Sequence, residues 1–506
     1  MSYKWCFIFL SIVFINLVSS QGISSRTVDA GMINQFFNTH PEYAEFKEET
    51  DTLYSNHNTY FWYDGNKISE FGVLIYKAAC QIGDEGLPAE VPYKEELDRV
   101  FQYNGIGKPE GKNDILLTCL YFYYTSKVFG GLSIESSTST GWNLPRKRQN
   151  YITLLTEAVE GKKDLMTVKP QLFNQYYELK AGLQKYRKIA MKGGWDIIPV
   201  TNQIMLKPND ISDLLPAVKR RLFVEGYLKN VDSINSFDTE LLTAVKSYQE
   251  HHGINPNGLI NNTLIASLNV PVESRIETIA VNMERCRWIN PNQESNYIAV
   301  NIPSFHLSYF QNNEVILTSN VVVGKEMNKT VVFSGMLSHV IFNPYWNVPN
   351  SILNKEILPA LKKNPNLLKQ QGYEWHEGKL RQKPGKNNAL GLVKFIFPNS
   401  NNIYLHDTPQ KTLFKEEKRA FSHGCIRVEK ACELAFLLMQ DNYGWSEFDT
   451  TQAMQSDSEK NYELNTKVPV YIIYFTAWAD KSGQVFFFPD IYKRDKKLAE
   501  MLFSDE

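Results

Sequence analysis

The sequence predicts a multidomain α+β protein: a mostly helical N-terminal domain, a small three-helix domain, and a mostly β, sandwich-like domain interrupted by one long insert. Three observations lead there. The chain has 506 residues, too many for one hydrophobic core, which points to two to four domains. Apolar residues recur at helical spacing through about residue 273, then with period two from about Asn296 onward. Glycine and asparagine punctuate the middle of the chain at Gly226, Gly253 and Asn257-Gly258, where helices are expected to stop.

The N-terminus reads as a secretory leader. Lys4 supplies a positive start, residues 5–17 are almost unbroken apolar sequence, and Val18, Ser19 and Ser20 offer small residues for cleavage. Residues 1–20 are therefore expected to be a signal peptide, which predicts an exported protein of the periplasm or cell envelope. A membrane anchor is the alternative, but the apolar run falls short of the roughly 20 residues a span needs. Cys6 lies inside the run, which argues against a lipid-modified cysteine. Without it, five cysteines remain (Cys80, Cys119, Cys286, Cys425 and Cys432), and an odd number leaves at least one thiol free. A formal net charge of -1 argues against a nucleic-acid binder held by whole-protein electrostatics.

Residues 21–205 are expected to form the mostly helical domain, dense in Tyr and Phe and without a motif that carries chemistry. Residues 211–273 form a compact unit. Ser212 or Asp213 can cap a first helix with Pro216 near its start, and Leu214, Leu215, Val218 and Leu222 follow at helical spacing. Asp238 caps a second helix lined by Leu241, Leu242, Val245 and Tyr248, and a short third helix is expected over 263–268. The β domain is expected over 290–480, with strands at 297–302, 305–310, 315–323, 339–342, 393–397, 403–405 and 468–475, and a further strand is expected over 485–488. Many short strands in one region suggest a sandwich or barrel. Residues 351–390 break the pattern with a polar, locally basic insert, read as a lid or as a solvated excursion. Residues 481–506 are expected to be a tail.

The sharpest local signal is Ser422-His423-Gly424-Cys425-Ile426-Arg427-Val428. An apolar-periodic helix through Cys432, Ala435, Phe436 and Met439 is expected to follow. Cys425 would then sit just before a helix N-terminus, whose partial positive charge favours the nucleophilic thiolate. The N–H groups around Gly424 and Cys425 can serve as an oxyanion hole. A thiol nucleophile needs a base, and His406 and His423 both qualify on chemistry alone. No metal or cofactor is implied: there is no His-Glu-x-x-His, no paired Cys-x-x-Cys and no phosphate-binding glycine loop.

Ser422 to Val428, preceded by His406 in Tyr404-Leu405-His406-Asp407-Thr408-Pro409, resembles the catalytic signature of the L,D-transpeptidases. Asn343-Pro344-Tyr345-Trp346-Asn347-Val348-Pro349 upstream fits as well. The arrangement resembles the large, YcbB-like subgroup with an N-terminal scaffold domain and an inserted lid. The 211–273 unit resembles a three-helix peptidoglycan-binding domain, with Tyr248 where Phe is usual and Asn257 where Asp is common.

The resemblance implies a 3→3 cross-linking acyltransferase. Cys425 would attack a donor tetrapeptide and expel D-Ala, His406 would be the base, and His423, Gly424 and Ser422 would shape the oxyanion region. Arg427 would hold a stem-peptide carboxylate unless it forms a structural salt bridge, and Tyr404 and Trp346 would line the cleft. The implied partners are peptidoglycan stem peptides, donor and acceptor, and conceivably other cell-wall enzymes; oligomeric state is left open. Two other readings stay open: a cysteine hydrolase of stem peptides and a non-catalytic wall-binding protein. A papain-like protease fits poorly, because there the cysteine precedes its histidine.

Overall fold

The computed structural model describes residues 26–57, 59–102, 109–146, 149–159, 171–199, 203–290 and 294–503. The expected leader, residues 1–20, lies outside the described residues. The chain divides into two compact units. One comprises 1–79, 91–124 and 151–168; the other comprises 80–90, 125–150 and 169–506.

The first unit is helical, with helices such as Ala30–Thr39, Lys47–Asn56 and Gly111–Thr125. Its interior holds one polar knot. Asp114 is buried and accepts from the Trp62 N–H at 3.0 Å, the Phe61 N–H at 3.1 Å and the Tyr54 hydroxyl at 2.5 Å. Burial pushes its carboxyl up to about 6 despite these donors.

The expected helical domain over 21–205 does not stay together. The helix Gln175–Met191 belongs to the second unit. The reason is its apolar face: Tyr176, Leu179, Leu183 and Tyr186 are buried in one core with Ile279 and Met283.

Within the second unit the small helical part is α1 (Leu215–Glu225), α2 (Thr239–His251) and α3 (Asn262–Leu268). Asp238 caps α2 through its carboxylate to the Leu241 N–H at 2.7 Å. The start of α1 differs from expectation. Its first flanking residue is Leu214, and Ser212 Oγ accepts only from the Leu214 N–H, at 3.3 Å. Gly226 ends α1 with φ of 89°, a backbone that glycine adopts without a Cβ penalty. Leu215, Val218, Leu222, Leu241, Val245, Tyr248 and Leu264 close the core between them. Helix α4 (Val272–Arg287) then leads into the β domain.

The β domain contains β1 (Tyr297–Asn301), β2 (His306–Gln311), β3 (Glu314–Gly324), β4 (Phe333–Phe342), β5 (Val393–Ile396), β6 (Leu405–His406), β7 (Ala420–Ser422), β8 (Ile426–Val428) and β9 (Lys460–Ile473). They hydrogen-bond in the order β7-β3-β8-β6-β5-β4-β9-β1-β2, and β2 pairs again with β3. The sandwich-like domain is thus one mixed sheet that closes on itself, leaving β7 as an outer flap on β3. Closure removes the open edges that a flat sheet would expose. Alternate residues fill the interior, among them Val300, Leu307, Val321, Val340, Phe395, Leu405, Ile426 and Ile472. Each such side chain contributes about 1.5–3 kcal/mol by leaving water. Helix α5 (Ala431–Tyr443) adds Leu434, Ala435, Leu438 and Met439 to the same core.

The insert at 351–390 is folded. It has short helices, an antiparallel pair Tyr373–His376 and Lys379–Gln382, and a third strand, Trp346–Asn347, paired to it. Val348, Ile357 and Leu380 give it a small core of its own.

Residues 481–503 are not a tail. Val485–Phe487 pairs with Ala477–Ala479, and Asp495–Phe503 is a helix that buries Leu498 and Leu502. Asp495 holds Arg285 of α4 at 2.7 Å. The run of basic residues from Lys493 reads as solvated, but Leu498 and Leu502 behind it sit one helical turn apart and pack.

Candidate active site

Cys425 lies in the tight turn from β7 to β8. Gly424 there has φ of 120°, a conformation that side-chain-bearing residues rarely adopt. Ser422 ties the turn: its hydroxyl donates to the Cys425 carbonyl at 2.5 Å and accepts from the Gly424 N–H at 3.1 Å. Behind it, Thr330 Oγ1 donates to the Gly424 carbonyl at 2.9 Å. The Tyr492 hydroxyl accepts from the Thr330 N–H at 3.1 Å and donates to the Gly324 carbonyl at 2.6 Å. Neither Thr330 nor Tyr492 stood out in the sequence, because each supports the turn from a distant segment.

Three expectations fail here. No helix begins at Cys425: β8 intervenes, and α5 starts at Ala431. The helix-terminus charge is therefore absent from the thiol, and burial instead pushes the Cys425 thiol above the usual range. The Gly424 N–H is also engaged by Ser422, which leaves the Cys425 N–H as the remaining backbone donor of the expected pair. Cys432, read as part of the apolar stripe of that helix, is exposed at the start of α5.

What opposes burial at the thiol comes from side chains. The Tyr404 hydroxyl and backbone N–H favour the thiolate, and Lys394 and Arg427 act on it through their charge. The sulfur itself lies 3.8 Å from the Asn402 carbonyl, which accepts from the thiol.

His406 ends β6, which runs parallel to β8 with His406 opposite Arg427 and antiparallel to β5 with Lys394 opposite His406. Lys394, His406 and Arg427 therefore stand in one cross-strand row. The ring is buried, and its Nδ1 lies 2.5 Å from the Asp407 backbone carbonyl. A carbonyl only accepts, so Nδ1 carries the proton and the other ring nitrogen is the basic one. Burial first, then the Arg427 guanidinium, hold the imidazole down at about 3, although the Asp407 and Leu390 carbonyls favour the protonated ring. The Asp407 carboxylate plays no part in this: it accepts from the Leu392 N–H at 2.9 Å and from Lys411 at 2.6 Å.

A cavity of about 440 Å³ brings together Cys425, His406, Tyr404, Trp346, Ser422, His423 and Arg427. It also includes Lys394 and Glu356, which the sequence did not single out. His423 is exposed, and its Nε2 lies 2.7 Å from Glu356 on the insert. Arg427 donates to Gln410 at 2.6 Å, and its Nε is buried without a partner among the described residues. It forms no salt bridge among them, so the structural alternative for Arg427 is not what the site shows. A half-buried thiol, a neutral imidazole and two cations in one cavity suit acyl transfer to sulfur.

Comparison with known proteins agrees at the level of the domain. Residues 295–470 match the L,D-transpeptidase catalytic domain family, and residues 48–183 match a scaffold domain family. A protein named "Putative L,D-transpeptidase" from Haemophilus influenzae is 36% identical over 248 residues, covering 45% of this chain and 50% of that protein. The chain thus spans about half the length of the curated relative it matches. Among solved structures, an L,D-transpeptidase from Stackebrandtia nassauensis aligns over 54% of this chain and 96% of its own at 11% identity, with a TM-score of 0.23. One from Mycobacterium smegmatis aligns over 35% and 58% at 13% identity, with a TM-score of 0.20. The sequence matches, taken with the placement of Cys425 and His406, show that the chain carries an L,D-transpeptidase catalytic domain of the YkuD type together with a scaffold domain.

Proposed function

We propose that the protein is an exported L,D-transpeptidase that forms 3→3 peptidoglycan cross-links through a thioester on Cys425. The observation that carries this is the shared cavity of Cys425 and His406, which Tyr404 also lines. Both groups are neutral at pH 7, since burial raises the thiol and lowers the imidazole. The reaction therefore starts from thiol and imidazole rather than from a preformed ion pair.

In this reading His406 accepts the thiol proton as sulfur attacks the carbonyl carbon at the L-centre of the third residue of a donor tetrapeptide. The Cys425 N–H and the Tyr404 hydroxyl are the donors placed to steady the developing oxyanion. Collapse breaks the C–N bond, His406 returns the proton to the departing D-Ala nitrogen, and the acyl group stays on sulfur. The side-chain amine of a second stem peptide then attacks the thioester, forming an amide and restoring the thiol. The 211–273 helices are read as a peptidoglycan-binding part, consistent with their position before the catalytic domain.

The test is incubation of the purified protein with disaccharide-tetrapeptide, with wild type beside Cys425→Ala and products read by mass spectrometry. A Cys425-dependent dimer lacking one D-Ala is expected. Cys425-dependent release of D-Ala without dimer would replace transpeptidation with hydrolysis. Equal release by Cys425→Ala would end the reading of Cys425 as nucleophile.

A further inference from the structure

Two cations line the Cys425 cavity with no acid paired to either. Arg427 is partly engaged, by Gln410. Lys394 is the more exceptional. It sits on β5 between Ile341 of β4 and His406 of β6. Its ammonium lies 3.9 Å from the centroid of the Tyr404 ring, and among the described residues it forms no hydrogen bond and no ion pair. The nearby acids are taken: Glu356 by His423 at 2.7 Å, and Glu459 by the Tyr345 N–H at 2.7 Å.

An ammonium has three donors, and an aromatic face satisfies none of them as a hydrogen bond. Burial disfavours the charge and pushes the ammonium below its usual range. A fold gains nothing by holding such a group half-buried and unpaired. It does so where a ligand supplies the missing anion.

The position says which anion. Lys394 and the Cys425 sulfur share one aromatic neighbour: the cation packs on the Tyr404 ring, and that ring lines the same cavity as the sulfur. When sulfur attacks the carbonyl before the last residue of a peptide, the terminal carboxylate is held two covalent bonds beyond the scissile nitrogen. A cation about one aromatic ring away from sulfur is within reach of it. We propose that Lys394 binds the free C-terminal carboxylate of the donor peptide, so that the site selects donors whose scissile bond precedes the last residue. This rests on the reading of Cys425 as acyl acceptor. When the terminal amino acid leaves, its carboxylate goes with it, and the Lys394 charge is again unmatched.

Binding can be separated from chemistry. In the full-length Cys425→Ala protein, which cannot be acylated there, affinity is measured by calorimetry for a donor tetrapeptide with a free C-terminus and for its C-terminal amide. The acid is expected to bind about ten- to hundredfold more tightly, the range of a charge-assisted hydrogen bond. Adding Lys394→Met or Lys394→Gln should collapse the ratio to near one by weakening the acid and leaving the amide unchanged, while Lys394→Arg should retain part of it. Thermal melting of each variant checks that it is folded. Equal weakening of both peptides, or no preference in the Cys425→Ala protein, would overturn the proposal. Cys425-independent release of D-Ala in the companion assay would overturn the acyl-acceptor reading instead, and it leaves the acid-to-amide ratio as a separate result.

Discussion

Helix α4 and the Cys425 cavity handle buried charge in opposite ways. On α4, Glu284 and Arg287 have no exposed side-chain surface, yet every polar atom of the pair is met. Arg287 donates to Glu284 at 2.8 Å, to the Val128 carbonyl at 2.9 Å and to the Glu85 carbonyl at 2.6 Å. The other Glu284 oxygen accepts from the Leu132 N–H at 2.6 Å and the Trp288 indole at 2.9 Å. In the cavity, among the described residues, Lys394 meets a ring and no hydrogen-bond or ion-pair partner, and the Arg427 Nε has no partner. A closed set of partners holds segments distant in sequence together. An open set is what a binding site for an anion looks like before the anion arrives.

The largest expected effect breaks the closed set. Glu284→Ala leaves Arg287 charged and buried and orphans two further donors, so a loss of about 3–5 kcal/mol is expected in urea unfolding. Lys394→Met removes a charge that has no partner to lose, and its stability should stay within about 1 kcal/mol of wild type or rise. A Lys394→Met protein as unstable as Glu284→Ala would erase the distinction between the two regions.

Much of this was visible in the sequence where chemistry is local. The cap Asp238, the stop Gly226 and the apolar stripe of the three helices depend on neighbours along the chain, and so does the Ser422-to-Arg427 turn. What the sequence hid depends on strands meeting. Lys394 alternates with Val393 and Phe395, so by period two it reads as a solvent-facing residue; only the pairing of β5 with β6 sets it beside His406. The helix after Cys425 was mistaken in its start because Ile426 and Val428 fit a helical apolar stripe as well as they fit a short strand. Tyr492 looked like part of a tail because its partners, Thr330 and Gly324, lie more than 160 residues away.

His406 gives the next effect in size. Burial and the Arg427 guanidinium hold the folded imidazole down at about 3, below its ordinary value of 6.5. Between these values the unfolded chain binds the extra proton, so stability from this group is complete above pH 6.5 and is lost as pH falls toward 3. His406→Gln should therefore unfold with a flatter pH dependence from 6.5 down to 3. An unchanged slope would mean that the ring is not held neutral by its burial.

The smallest effect concerns the insert. Glu356 lies in the π-helical turn Leu353–Ile357, and its contact with His423 joins the insert to the residue two before Cys425. Both side chains are substantially exposed, at 52% and 37%, so the contact is screened and contributes at most about 1 kcal/mol. That is enough for a latch that yields to substrate, and too little to hold the fold. Glu356→Gln keeps the shape and removes the charge. It should leave the melting temperature nearly unchanged and speed alkylation of Cys425 by a bulky maleimide about two- to fivefold at low salt. In wild type the same acceleration should appear on raising salt under conditions that protonate the imidazole, because screening weakens an ion pair between partly exposed groups. In Glu356→Gln the salt response should be gone. If the two proteins respond to salt alike, the insert is held by its apolar core around Ile357 and Leu380, and the charged contact is only its neighbour.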